Sequence, residues 1–193
     1  NLAKLSSIAF TEGFYYVPRI DKELLMQHSE GLIATSGGLS GEVPHLILNV
    51  GETQAEEAFC WWKEAFGDNF YVEINRHGVE AEEVVNKTLI SFCKKYDVPY
   101  FAAHETYYIE KEDAEAQDIL LCVKDNAKKN DPIGRGRGFR FGMPNEEFYL
   151  KSREEMASLF SDLPEALACT AQMVERIEAY PLKRPVLLPK FNI

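Results

Sequence analysis

Glu105 is the residue whose type and setting most suggest chemistry. It lies in PYFAAHETYY (residues 99–108), with His104 before it and Tyr107 and Tyr108 just after. The segment has the apolar content of a buried strand, and alternate residues of a strand share a face. Phe101, Ala103, Glu105 and Tyr107 are therefore expected on one side, and Tyr100, Ala102, His104 and Thr106 on the other. A carboxylate with a second ligand two residues away, at the C-terminal end of a parallel strand, suits a metal ion or a general base. A carboxylate hydrogen-bonded to loop amides fits the same residues. The strand FYVEINRH (70–77) adds Glu73 and a face shared by Asn75 and His77 as further ligand sources. Residues 36–41, SGGLSG, offer backbone amides to an anion at a helix start. They lack a Walker-type lysine, so a turn that needs glycine only for its backbone angles accounts for them as well. In PIGRGRGFRFGMP (132–144), Arg135, Arg137 and Arg140 alternate with glycines and with Phe139 and Phe141. Arginines interleaved with aromatics can hold phosphate and stack bases. The same arginines also fit a solvated loop that pairs with an acidic body.

The elements that must position these residues alternate. Helices are expected over residues 2–14, with Leu2, Leu5, Ile8 and Ala9 at helical spacing, and over 21–28, capped by Asp21 and ending on a surface His28. A short strand from Leu32 runs into the glycine turn. Helical pieces follow over 43–48, where His45 reads as a core or boundary residue, and over 53–66, striped by Ala55, Ala58, Phe59, Trp62 and Phe66. Strand 70–77 precedes helix 82–96, and strand 99–108 precedes helix 111–125, whose stripe is Ala116, Ile119, Leu120 and Val123. Three strand-then-helix units predict an α/β fold with parallel strands and right-handed crossovers, open or closed into a barrel. Its working face lies at the strands' C-terminal ends. After a long loop, FYLKS (148–152) reads as a short strand, and Ser152 with Glu155 forms a capping box that opens a helix to 160. A last helix to 179 is expected from a cap at Asp162, striped by Leu167, Thr170, Val174 and Ile177, before the proline-rich tail PLKRPVLLPKFNI.

At 193 residues and 46% hydrophobic, the chain can bury a sizeable core and fits one domain with an appendage or two small domains. A formal charge of −10 excludes a broad nucleic-acid-binding face and leaves only a local one. No apolar run reaches membrane-span length and no secretory start is present, so a cytoplasmic protein without a membrane partner is expected. Cys60, Cys93, Cys122 and Cys169 lie far apart in helical patterns, which predicts reduced core thiols. The chain opens on Asn1 with no initiator Met, so a fragment is expected. Bare edges of its sheet would then dimerise or be covered by the terminal segments.

In order, TEGFYYVPRIDKELL, EGLIATSGGLSGEV, GDNFYVEINRHG, PYFAAHETYYI, KEDAEAQDILLCV, EEFYLKSREEMASLF, DLPEALACT and VLLPKF resemble the N-terminal region of the bacterial replicative DNA polymerase III alpha subunit. The resemblance implies that residues 1–145 are the C-terminal part of a PHP domain, a distorted TIM-like barrel, and that 146–193 form a helical connector toward the polymerase palm. It implies a parent enzyme, a DNA-directed DNA polymerase using Mg, whose catalytic aspartates lie elsewhere. Metal-binding PHP members carry Cys, Asp and His where this chain has Gly38, Glu105 and Tyr107. This implies a degenerate site in which Glu105 is the remaining ligand and His104 and His77 are secondary choices, with Zn or Mn only where such a site is intact. The implied partners are the rest of the alpha chain, DNA and other replisome subunits, among them the proofreading exonuclease. The fragment alone is expected to be inactive and to need no cofactor. The alternative is a PHP-type metal-dependent phosphoesterase or 3′–5′ exonuclease.

Overall fold

A computed structural model describes residues 1–134, 136–179, 181, 183, 185, 186 and 188. Arg135 and most of the tail beyond residue 181 lie outside the described residues. The chain is α/β. After α1 (Leu2–Thr11) and α2 (Lys22–Gln27), β1 (Ala34–Thr35) leads to α3 (Glu42–Asn49) and α4 (Glu52–Phe66). Next, β2 (Phe70–Asn75) leads to α5 (Glu80–Tyr96), and β3 (Tyr100–Ala103) to α6 (Ala114–Asp125). The chain closes with α7 (Arg153–Leu159) and α8 (Pro164–Glu175). Among the described residues, three strands form one parallel sheet in the order β1-β2-β3, with Ala34 opposite Phe70 and Val72 opposite Tyr100.

Local sequence explains most of these boundaries. Asp21 accepts the Leu24 N–H at 2.8 Å and starts α2. Ser152 and Glu155 close the expected capping box at α7. Asp97 and Asn126 end α5 and α6 in the left-handed conformation. The central strand β2 is buried on both faces, as a parallel strand covered by helices must be. Its Phe70, Val72 and Ile74 enter a core with Phe59, Leu89 and Phe92, and the ring of Phe59 meets those of Phe70 and Phe92 edge-on at 5.5 and 5.4 Å. Phe160 and Ala166 complete the same core.

Several expectations are corrected. The strand expected to run to residue 108 leaves the sheet after Ala103, so alternation does not govern Glu105 and Tyr107. FYLKS is not a strand. It contributes one bridge, Tyr149 to Tyr108, flanked by the Tyr107 N–H donating to the Phe148 carbonyl and the Leu150 N–H to the Tyr108 carbonyl. The stripe named on α6 faces outward, with Leu120 62% and Val123 73% exposed. The inner face carries Leu121 and Cys122, and Asp118 turns inward to receive an arginine from the following loop. On α8, which stops at Glu175 and not at residue 179, Val174 is likewise exposed while Ala166 and Cys169 are buried, and Ile177 lies exposed beyond the helix. Asp162 does not cap α8; it pairs with Arg76, and Leu163 holds the cap position. His45 is exposed and its Nδ1 meets the Asn49 amide at 3.2 Å.

α8 packs beside β3, where the Thr170 hydroxyl lies 3.5 Å from the edge carbonyl of Ala102 and 3.3 Å from the Ala166 carbonyl of its own helix, and the Tyr100 hydroxyl donates to Glu165. Arg76, just past β2, fastens this C-terminal part. Its guanidinium donates to both Asp162 oxygens at 2.6 and 2.8 Å and to the Leu159 carbonyl at 2.7 Å, and it lies 4.9 Å from the Phe160 ring. All four cysteines are free thiols in helices. Among the described residues, no helix is long and apolar enough to cross a membrane.

Candidate functional site

The loops after β1, β2 and β3 meet at the strands' C-terminal ends, where residues 141–148 close over them. They bound a cavity of about 320 Å³ lined by Gly38, Asn75, Glu82, Glu105, Tyr107 and Phe148, among others. Gly38, Glu105 and Tyr107 are thus brought together, and His77 and His104 lie behind them.

The loop after β1 is glycine-rich for backbone reasons. A Cβ on Gly41 would sit 2.1 Å from the Ser36 carbonyl oxygen, and Gly37 has φ +71°. A Cβ on Gly38 would fall 2.6 Å from Oε1 of Glu105. The carboxylate of Glu105 therefore stands where a side chain at position 38 would be. Glu73, at the β2 end, is tied into the sheet instead. It accepts from the Thr35 hydroxyl at 2.5 Å, and its N–H donates to Ser36 Oγ at 3.0 Å.

His77 organises the interior of the site at 1% exposure. The Glu105 N–H donates to His77 Nε2 at 3.0 Å, so the ring proton sits on Nδ1 and donates to Glu82 Oε1 at 2.6 Å. The His77 backbone N–H donates to Glu82 Oε2 at 2.6 Å, and Asn145 Nδ2 donates to the His77 carbonyl at 2.7 Å. The His77 ring is stacked between His104 and Phe148, each with its centroid 4.3 Å away. Burial pushes the Glu82 pKa up, but the hydrogen bonds from His77 outweigh it and hold the carboxyl below its ordinary value. Burial, and next the neighbouring His77, lower the pKa of His104. Its Nε2 faces the Tyr149 carbonyl at 3.0 Å, whereas its Nδ1 is buried with no partner among the described residues.

Gly38, His77 and Tyr107 offer no good donor to a metal ion. Gly38 supplies no donor, and both ring nitrogens of His77 are engaged. Burial, with the Glu105 carboxylate nearby, raises the Tyr107 pKa and keeps its phenol a poor ligand. Glu105 is exposed at the cavity, and among the described residues no three His, Cys, Asp or Glu side chains cluster as a metal-binding group. The Asn75 amide lines the cavity with a buried Oδ1 that has no partner among the described residues. Sequence reading missed Glu82, Asn145 and Phe148 as members of this cluster. They converge from separate segments, and no local pattern marks them.

The arginines of the long loop divide. Arg140 is buried and donates to both Asp118 oxygens at 2.5 and 3.0 Å, and to the carbonyls of Asp131 and Lys129. It supports the loop from within and is not available as a surface contact. Arg137 is exposed, and Arg135 lies outside the described residues.

Residues 1–77 match the PHP domain. Over its whole length the chain is 43% identical to DNA polymerase III subunit alpha of Borreliella burgdorferi and 39% identical to that of Treponema pallidum. Over 91% of its length it is 40% identical to that of Helicobacter pylori. The chain spans 16%, 16% and 15% of these relatives respectively. The chain is therefore similar, end to end, to one segment of DNA polymerase III subunit alpha, and its first 77 residues match the PHP domain.

Proposed function

We propose that residues 1–145 are the C-terminal part of the PHP domain, and residues 146–193 the helical lead toward the palm, of a DNA polymerase III alpha subunit. The full-length similarity to that subunit supports this reading. The three parallel strands then belong to a larger distorted β/α barrel. Template-directed nucleotide addition, with its Mg, belongs to the whole subunit in the cytoplasm. Its partners there are DNA and other replisome subunits, including the proofreading exonuclease. The present segment serves as scaffold and contact surface. Because α8 covers the β3 edge, any pairing of copies through the sheet would use β1.

The observation that carries the scaffold role is the close approach of Glu105 to Gly38. Two positions assigned to metal ligands share one carboxylate between them, whereas a zinc site needs about four donors. The test is elemental analysis of the purified 193-residue chain after equilibration with Zn and then with Mn, followed by desalting. The expected result is no stoichiometric metal. One equivalent retained by wild type and lost in Glu105→Ala would overturn the scaffold role and favour the metal-dependent phosphoesterase or 3′–5′ exonuclease.

A further inference from the structure

The cavity at the strands' C-terminal ends is chemically one-sided. Among the described residues its wall holds the carboxylates of Glu82 and Glu105 and no lysine or arginine. Glu82 is occupied by the two His77 donors. Glu105 is exposed at the cavity and has no ion pair among the described residues. The Tyr107 hydroxyl stands beside that carboxylate, and the Tyr107 ring, 43% exposed, meets Phe148 at 6.1 Å. His77 covers one face of Phe148, which leaves Tyr107 as the open ring.

Asn75, at the end of β2, is 6% exposed and lines the same cavity. Its backbone carbonyl is satisfied by Asn86 Nδ2 at 2.8 Å. Its side chain is not: Oδ1 is buried without a partner among the described residues, an arrangement that folded chains rarely keep. The amide is also aimed. Its Nδ2 lies 3.8 Å from the place of a Cβ on Gly38, and Glu105 Oε1 lies 2.6 Å from that same place. A carboxylate and an unbonded buried amide thus flank one point, and glycine at position 38 leaves the point open. Because no hydrogen bond holds Oδ1 where it is, a half-turn of the amide brings that acceptor to the same point.

We propose that this cavity binds a guanidinium group. Glu105 accepts two of its N–H groups, Asn75 Oδ1 accepts a third, and the Tyr107 ring covers its plane. One free carboxylate and one neutral amide are too few donors for a metal ion, whereas a guanidinium is planar and weakly hydrated, so that they suffice for it. A phosphate or carboxylate ligand would meet only repulsion from Glu105. The chain's net charge of −10 draws cations toward the opening. The group arrives either on a free small molecule or on an arginine side chain of another protein, and the cavity of about 320 Å³ is open to both. The proposal rests on the reading that no metal resides at this site.

An NMR titration of the isotope-labelled 193-residue chain, at constant ionic strength, tests it. Methylguanidinium chloride represents the free ligand, and acetyl-Gly-Arg-Gly-amide the side chain. N-Methylurea, with the same planar shape and no charge, is the control. Saturable shifts at the Gly38, Asn75 and Glu105 amides are expected with a Kd of about 1 mM or tighter for at least one guanidinium probe. The probe that binds more tightly identifies the source. Glu105→Gln should weaken binding about tenfold or more. Asn75→Leu should weaken it several-fold without lowering the unfolding midpoint, because the amide has no bonds to lose. Glu146→Gln, on the neighbouring cavity, should bind like wild type. Should Asn75→Leu fail to fold, Glu105→Gln decides alone. Absence of saturable shifts, equal binding of N-methylurea, or an unchanged affinity in Glu105→Gln would overturn the proposal and leave the scaffold role standing. Zn or Mn retained by wild type and lost in Glu105→Ala would overturn both.

Discussion

Replacing Glu82 by alanine removes the acceptor that serves two donors of His77, its ring Nδ1–H and its backbone N–H, each at 2.6 Å and inside a site at 1% exposure. Hydrogen bonds to a charged group contribute about 1.5–3 kcal/mol each. Both donors would be left buried and unpaired, and the two losses overlap, so a destabilisation of about 3–5 kcal/mol is expected. Glu82→Gln keeps an oxygen for one donor and sets an amide against the other, which puts it near 2 kcal/mol. Urea unfolding with an unchanged m-value measures both. The His77 ring also accepts the Glu105 N–H, so hydrogen exchange at Glu105 should quicken in Glu82→Ala. The pH dependence has a definite sign. The folded pKa of Glu82 lies below its ordinary 4.5, so its contribution is present above that value and is lost as pH falls through the lower folded value. The stability gap between wild type and Glu82→Gln should therefore close on acidification. A Glu82→Ala variant within about 0.5 kcal/mol of wild type would refute the reasoning, because that is the range of a surface substitution.

Arg76→Ala should cost about 1–2 kcal/mol by the same measurement, mainly through the Leu159 carbonyl bond and the Phe160 ring, because Asp162 is 62% exposed and its ion pair is screened. An unchanged unfolding midpoint would show that the fastening is decorative. For the thiols, burial, followed by the neighbouring Cys169, pushes Cys93 up to about 12. Iodoacetamide at mildly alkaline pH should modify the half-buried Cys60 in the folded chain and leave Cys93 intact until unfolding. Peptide mass spectrometry reads this, and labelling of both at similar rates would contradict the burial argument.

What the sequence made legible was local. Asp21 and the Ser152–Glu155 box fix helix starts by bonds within one turn, and the dense apolar content of β2 marks a strand covered on both sides. Failures arose where a pattern was extended beyond the element that justified it. Alternation holds only while the chain stays in the sheet, and β3 leaves after Ala103; His104 then turns in to stack on His77 while Glu105 stays exposed. On α6 the apolar stripe could be counted but its direction could not. The Arg140 guanidinium, 22 residues away in sequence, draws Asp118 inward and so helps set that direction. The His77–Glu82 bond, the Phe148 stack and the Asn145 bond to the His77 carbonyl depend on three loops meeting in space. In the same way, the charge run at 135–140 named Arg140 as a contact, whereas the fold makes it the internal support for its neighbours.

The placement of Phe160 and Ala166 in one core with Phe59, Ile74 and Phe92 has a consequence for synthesis. The sheet is complete in sequence at Ala103, yet Phe160 is translated 57 residues later. At about 5–20 residues per second that interval is on the order of 3–11 s. During it the apolar surface that Phe160 will cover is open on the nascent chain, and the ribosome-bound intermediate is the form of this protein most exposed to mispairing.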